Sequence, residues 1–131
     1  MSQENIDVVR TLFDAWNARD MDGLRALYDP NVIVRAPEGW PEPGPWVGPE
    51  SIMQQWNQMR EVWKADTLEP ITDFIDAADR VAVRFNWYGT GDGPDTDLQL
   101  TGIWTVREGR ILHTEFFWNH AEALEVMGLD E

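Results

Sequence analysis

The hydrophobic period of this chain changes once, at about residue 65, and that change limits what the chain can fold into. Before it, apolar residues recur at spacings of three and four; after it, they alternate. Ile6, Val9, Leu12, Phe13 and Trp16 form one apolar stripe, which predicts a helix over 3–19. Ser2 suits the cap, and Glu4 and Asp7 suit the positive end of the helix dipole. Asp20 caps a short second helix carrying Leu24, Leu27 and Tyr28, and Asp29-Pro30-Asn31 stops it and turns the chain. Residues 32–35 read as a short strand. Pro49 fits the first position of a third helix, where Ile52, Met53, Trp56, Met59 and Trp63 repeat to about Ala65.

The second half reads as strands. Residues 68–76 form one strand that begins around Pro70, which makes it an edge or bulged strand. Residues 80–88 set Val81, Val83, Phe85 and Trp87 against Ala82, Arg84, Asn86 and Tyr88. Residues 96–107 alternate in the same way, Glu108-Gly109 makes a tight turn, and residues 110–118 are the last strand. Asn119 with Glu122 caps a short closing helix that ends at Gly128. Helices followed by a run of antiparallel strands imply one α+β domain over 1–131, with helices on one face of a curved sheet.

Between the first strand and the third helix, residues 36–48 hold four prolines and three glycines, which exclude helix and central strand. They also hold Trp40 and Trp46, so the segment reads as a stiff flap folded over the body. The chain carries eight tryptophans, more than a core of this size needs, and some of them line a cavity. Ten basic residues against 24 acidic ones give a net charge of −14, which argues against nucleic acid and anionic membrane as partners. Cysteine is absent, which excludes disulfides and thiolate metal sites and fits the cytoplasm. No secretory signal and no apolar run long enough to span a bilayer is present.

Several segments carry a family resemblance. They are Val-Val-Arg-Thr-Leu-Phe-Asp-Ala-Trp-Asn-Ala-Arg-Asp (8–20), the Leu-Tyr-Asp-Pro-Asn-Val turn (27–32), the Gly-Pro-Glu-Ser-Ile helix start (48–52), the Trp-Thr-Val-Arg-Glu-Gly-Arg-Ile hairpin (104–111) and the Ala-Glu-Ala-Leu-Glu-Val-Met-Gly-Leu ending (121–129). Together they resemble the SnoaL-like group of the nuclear transport factor 2-like superfamily. The resemblance implies a cone in which N-terminal helices close over a curved antiparallel sheet, a pocket at the open end, and a homodimer joined through the sheet. It also implies cofactor-independent chemistry of the isomerase, cyclase or hydrolase kind, though a shared fold does not carry function with it.

The resemblance places Leu12, Ala36 and Gly102 where ketosteroid isomerases need a tyrosine, an aspartate and a protonated acid, so that chemistry is rejected. Arg84-Phe85-Asn86 looks like the Arg-x-Asp segment of the related epoxide hydrolases, with Asn86 in place of an aspartate and Phe116 in place of the second one. An amide and a phenyl ring cannot act as general base. The alternation turns Val83, Phe85 and Trp87 inward and Arg84 and Asn86 away; a shift of one residue would reverse the faces.

Period and resemblance together give a wall of Trp16, Tyr28, Met53, Trp56, Val83, Phe85 and Trp87, continued by Leu100, Trp104, Phe116 and Trp118. Trp40 and Trp46 close the mouth, and Thr114 is the inward polar group of the last strand. The wall would grip a flat or polycyclic apolar ligand by ring faces and orient it by indole N–H groups; otherwise the rings simply fill the cone. Candidate acids are Asp14 on the first helix, Glu38 in the flap, and the pair His113-x-Glu115, whose side chains share a face about 7 Å apart. That pair is an acid–base couple, a pair of metal ligands, or part of a polar outer face. His120 starts the closing helix and reads as exposed, so no metal site and no cofactor is expected. Asn17 is a further candidate from the first helix. Gly91-Asp92-Gly93 lies in a hairpin loop, and Lys64 at a helix end offers no nucleophile arrangement. Two functions stay open: an enzyme acting by proton transfer from a buried acid, or a non-catalytic carrier or sensor. An inward carboxylate separates them.

Overall fold

In the computed structural model the described residues are 2–42, 44–63, 65–91 and 95–129. Pro43 of the flap, Lys64 and the Asp92-Gly93-Pro94 part of the hairpin loop lie outside them, as do the side chains of Ser2 and Ala65. The elements follow in the order α1 (Ser2–Ala18), α2 (Met21–Ala26), β1 (Tyr28–Arg35), β2 (Trp46–Val47), α3 (Pro49–Val62), β3 (Ala65–Pro70), β4 (Ile75–Ala77), β5 (Arg80–Thr90), β6 (Thr96–Arg107), β7 (Arg110–Phe117) and α4 (His120–Val126). This is the α+β arrangement the change of period requires.

The sheet runs β2-β1-β7-β6-β5-β3, with β4 paired to β5 below β3. It is mixed, not purely antiparallel, because β1 lies parallel to β7, with Val34 opposite Thr114 and Arg35 opposite Glu115. Parallel neighbours need a long crossover, and α3 with the strands that follow supplies it. β1 also starts earlier than expected. Asp29-Pro30-Asn31 lies within the strand, and a register shift between Tyr28 and Ile33 absorbs the proline.

The expected strand over 68–76 is two strands. β3 starts already at Ala65 and ends at Pro70, and the break before β4 is held by Ile71 N–H donating to the Arg84 carbonyl. Two devices are as expected. The Asp20 carboxylate accepts from Gly23 N–H to cap α2, and the Asn119 side chain accepts from Glu122 N–H to cap α4. The β6–β7 hairpin turns through Glu108 at φ 53° and Gly109 at φ 79°, the two positive angles a type I′ turn needs.

The apolar stripe of α1 (Val9, Leu12, Phe13, Trp16) packs on the inner face of the sheet with residues of α3, β5 and β6 in the main core. α4 takes the opposite face, where Ala123 and Met127 pack on Ala82 and Ile103 in a separate, smaller cluster. The sheet is therefore covered on both sides near its centre.

Candidate ligand cavity

The inner face of the sheet, α1, α3 and the flap line a half-open cavity of about 80 Å³. Its floor is Phe85 and Trp87 from β5, Leu100 and Trp104 from β6, and Thr114 and Phe116 from β7. Trp16 and Leu12 enter from α1, Tyr28 from β1, and Trp56 and Met59 from α3. Pro37, Trp40 and Trp46 cover it from the flap. Of the residues read as wall, Met53 and Val83 are buried in the core without lining the cavity, and Trp118 is 41 % exposed. Sequence alone could not separate these from the rest, because they share the stripe or strand face of residues that do line it.

The rings meet edge to face. Phe13 sits 5.4 Å from Phe85, Trp16 lies 5.7 Å from Trp56, and Trp104 lies 6.0 Å from Phe116 at 90°. Trp104 reaches its place because Gly102, two residues before it on the same face, has no side chain. A Cβ there would lie 2.4 Å from the Trp104 ring. Trp118 serves the flap: its indole N–H donates to the Glu38 carbonyl at 2.7 Å and its ring lies 6.1 Å from Trp40.

Most of the indole N–H groups expected to orient a ligand are already spent. Trp16 and Trp87 both donate to Oδ2 of Asp66, at 3.0 and 2.8 Å. Trp56 donates to the Tyr28 hydroxyl at 3.1 Å. Asp66 is the residue the sequence reading missed. It is the second residue of β3, keeps 1 % of its side-chain surface, and on Oδ1 meets Arg60 at 3.3 Å and Arg19 at 3.5 Å. Arg60 in turn stacks over the Trp16 ring at 4.1 Å and donates to the Trp16 carbonyl at 2.6 Å. Burial lowers the Arg60 guanidinium from its ordinary range, Asp66 pulls it back up, and Arg19 lowers it further. No sequence signal singled out Asp66, since it falls at the change of period between α3 and β3.

The candidate acids lie elsewhere. Asp14 and Glu38 are exposed, and the flap is tied by Glu42, whose carboxylate accepts from the buried Gln55 amide. Asn17 grips the backbone of Leu68 through both its amide oxygen and its amide nitrogen. His113 and Glu115 stand on the outer face with Arg35, whose Nε donates to His113 Nε2 at 3.3 Å. Burial lowers the His113 imidazole from its ordinary 6.5; Glu115 raises it and Arg35 lowers it. Arg84 and Asn86 also face outward. Arg84 donates to Thr101 Oγ1 and to the Trp118 carbonyl, and Asn86 donates to the Tyr88 hydroxyl. His120 is half-buried, not exposed, with Nδ1 3.0 Å from Thr101 Oγ1. Among the described residues no group of three or more acids and histidines could hold a metal, and no helix is long and apolar enough to cross a membrane.

The polar side chains of the cavity wall are thus Tyr28 and Thr114, beside the indoles. Tyr28 is buried, and burial pushes its hydroxyl up to about 12 against the smaller opposing effect of the Trp56 bond. Thr114 is 2 % exposed, and its Oγ1 has no hydrogen-bond partner.

The model of the SnoaL-like domain matches residues 9–114, most of the chain. The chain belongs to the SnoaL-like family. No curated protein matches this SnoaL-like sequence. Among solved structures it resembles an NTF2-like protein of unknown function from Burkholderia pseudomallei, at 24 % identity and a TM-score of 0.79, covering 97 % of this chain and 98 % of the other. It resembles TerC co-crystallised with polyporic acid at 24 % identity, a TM-score of 0.77 and coverage of 95 % and 98 %. A candidate polyketide cyclase from Sinorhizobium meliloti matches at 26 % identity and a TM-score of 0.71, over 84 % of this chain and 93 % of that one. The SnoaL-like fold, and a set of structural relatives that includes ligand-bound proteins, follow from these likenesses.

Proposed function

We propose that this SnoaL-like domain binds a compact, neutral organic molecule in the aromatic cavity and has no carboxylate or imidazole on the wall to move a proton. The observation that carries this reading is the lining itself: rings and aliphatic groups, with the hydroxyls of Tyr28 and Thr114 among them. Apolar walls with a few placed polar groups are the usual make-up of ligand sites. Asp66, buried beside this wall, is occupied by two indoles and two guanidiniums. The cavity volume of about 80 Å³ favours one ring over a polycycle unless the flap moves outward.

A second reading is a cofactor-independent enzyme of the cyclase kind. The Tyr28 hydroxyl supports it, since a neutral phenol can polarise a carbonyl by hydrogen bonding. On either reading the outer sheet face bearing His113 and Glu115 is the surface for a homodimer.

Native mass spectrometry of freshly purified protein tests the binding reading. The expected result is a small-molecule adduct that Trp56→Glu abolishes, on a dimer. Empty protein whose indole N–H resonances ignore added cyclohexanone and its hydrocarbon analogue would sink it. Turnover of a cyclic ketone would favour the enzyme.

A further inference from the structure

The wall carries one buried polar atom with no partner. Thr114 lies in β7 between Trp104 of β6 and Val34 of β1, on the inner face. Its Oγ1 is fully enclosed and makes no hydrogen bond. A buried hydroxyl without a partner gives up its hydration with nothing in return, so an unpartnered oxygen on a cavity wall calls for an explanation. Tyr28 is the second hydroxyl of the same cavity. Its oxygen already accepts from the Trp56 indole, which leaves its O–H to donate. Its raised pKa keeps that proton in place through the ordinary pH range.

The charge around the wall narrows the ligand further. Behind Trp16, one carboxylate (Asp66) faces two guanidiniums, Arg60 and Arg19. The net charge of −14 would attract a cation from a distance, but salt screens that field within about 10 Å. Close by, the Arg60 guanidinium already lies on one face of the Trp16 ring. A cation in the cavity would meet a like charge one ring away. A full anion would lose its hydration against an apolar lining.

We infer that Thr114 and Tyr28 are specificity-determining residues for an acceptor oxygen, and that the ligand is a neutral ring bearing a carbonyl or ether oxygen. This rests on the binding reading of the cavity and deepens it. Thr114 supplies the selecting contact and Tyr28 a second donor.

The test uses the full chain and two isosteric probes, cyclohexanone and methylenecyclohexane, titrated while the indole N–H resonances are followed by NMR. Thr114→Val is expected to weaken cyclohexanone about tenfold, the loss of one hydrogen bond in a dry site, and to leave methylenecyclohexane within about twofold. Thr114→Ser restores the ketone. Tyr28→Phe gives a smaller loss, again confined to the ketone. Should Thr114→Val fail to fold, the Tyr28→Phe comparison carries the same contrast. Equal effects on both probes, or none, overturn the inference and leave the cavity as an apolar binding site. If neither probe binds the native chain, the inference and the binding reading fall together.

Discussion

The indole N–H of Trp87 donates to Oδ2 of Asp66 at 2.8 Å, on the same oxygen that accepts from Trp16. One buried carboxylate thus sets the tilt of two cavity rings. Arg60, with 9 % of its side chain exposed, supplies the countercharge. Removing the carboxylate strands that guanidinium. Asp66→Ala is expected to cost about 3–5 kcal/mol in urea unfolding, the range for breaking a buried pair. Asp66→Asn, which keeps an acceptor, should cost less. A loss under about 1 kcal/mol for Asp66→Ala would show that the network contributes little.

Gly102 sits beneath the Trp104 ring, and a Cβ placed there meets ring carbon at 2.4 Å. Gly102→Ala should shift the ring into the cavity and cost about 1–3 kcal/mol, as overpacking does. Tryptophan fluorescence and denaturant midpoints check it. Unchanged values in both would mean that the ring moves without penalty.

Tyr28 has its hydroxyl pushed up to about 12 from 10.0, so the native state holds this proton more tightly than the unfolded chain. The related stability is complete below pH 10.0 and is lost as pH rises toward 12, by roughly 2–3 kcal/mol. Absorbance at 295 nm should show a tyrosinate step near pH 12 that Tyr28→Phe removes. A Tyr28 step close to pH 10 would contradict the burial argument.

His113 has its imidazole lowered from 6.5, first by burial, against Glu115 and with Arg35. The Arg35 Nε bond needs an unprotonated Nε2, so the fold favours neutral histidine. Above about 6.5 neither state gains a proton. As pH falls through that value the unfolded chain protonates first, and stability declines until the native imidazole also protonates. Urea midpoints between pH 7.5 and 5.5 should fall, and His113→Gln should flatten the part due to this group. An identical slope in the variant would remove His113 from the account.

The residues of the chain by themselves determined the α+β class, the helix caps at Asp20 and Asn119, and the Glu108-Gly109 hairpin. Each of these rests on local spacing and local hydrogen bonds. The inward face of β5 was also legible, because strict alternation put Phe85 and Trp87 on one side. The tertiary structure decided what depends on distant partners. β1 runs through Asp29-Pro30-Asn31 because β7 lies beside it, and α3 ends at Val62 because Ala65 already pairs with Thr90. Met53 and Trp56 share one helical stripe, yet the cavity reaches only Trp56. Asp66 carries no mark in the sequence. Its partners lie 50 residues away at Trp16 and 21 away at Trp87, so only the closing of β3 against β5 and α1 makes it the anchor of the wall.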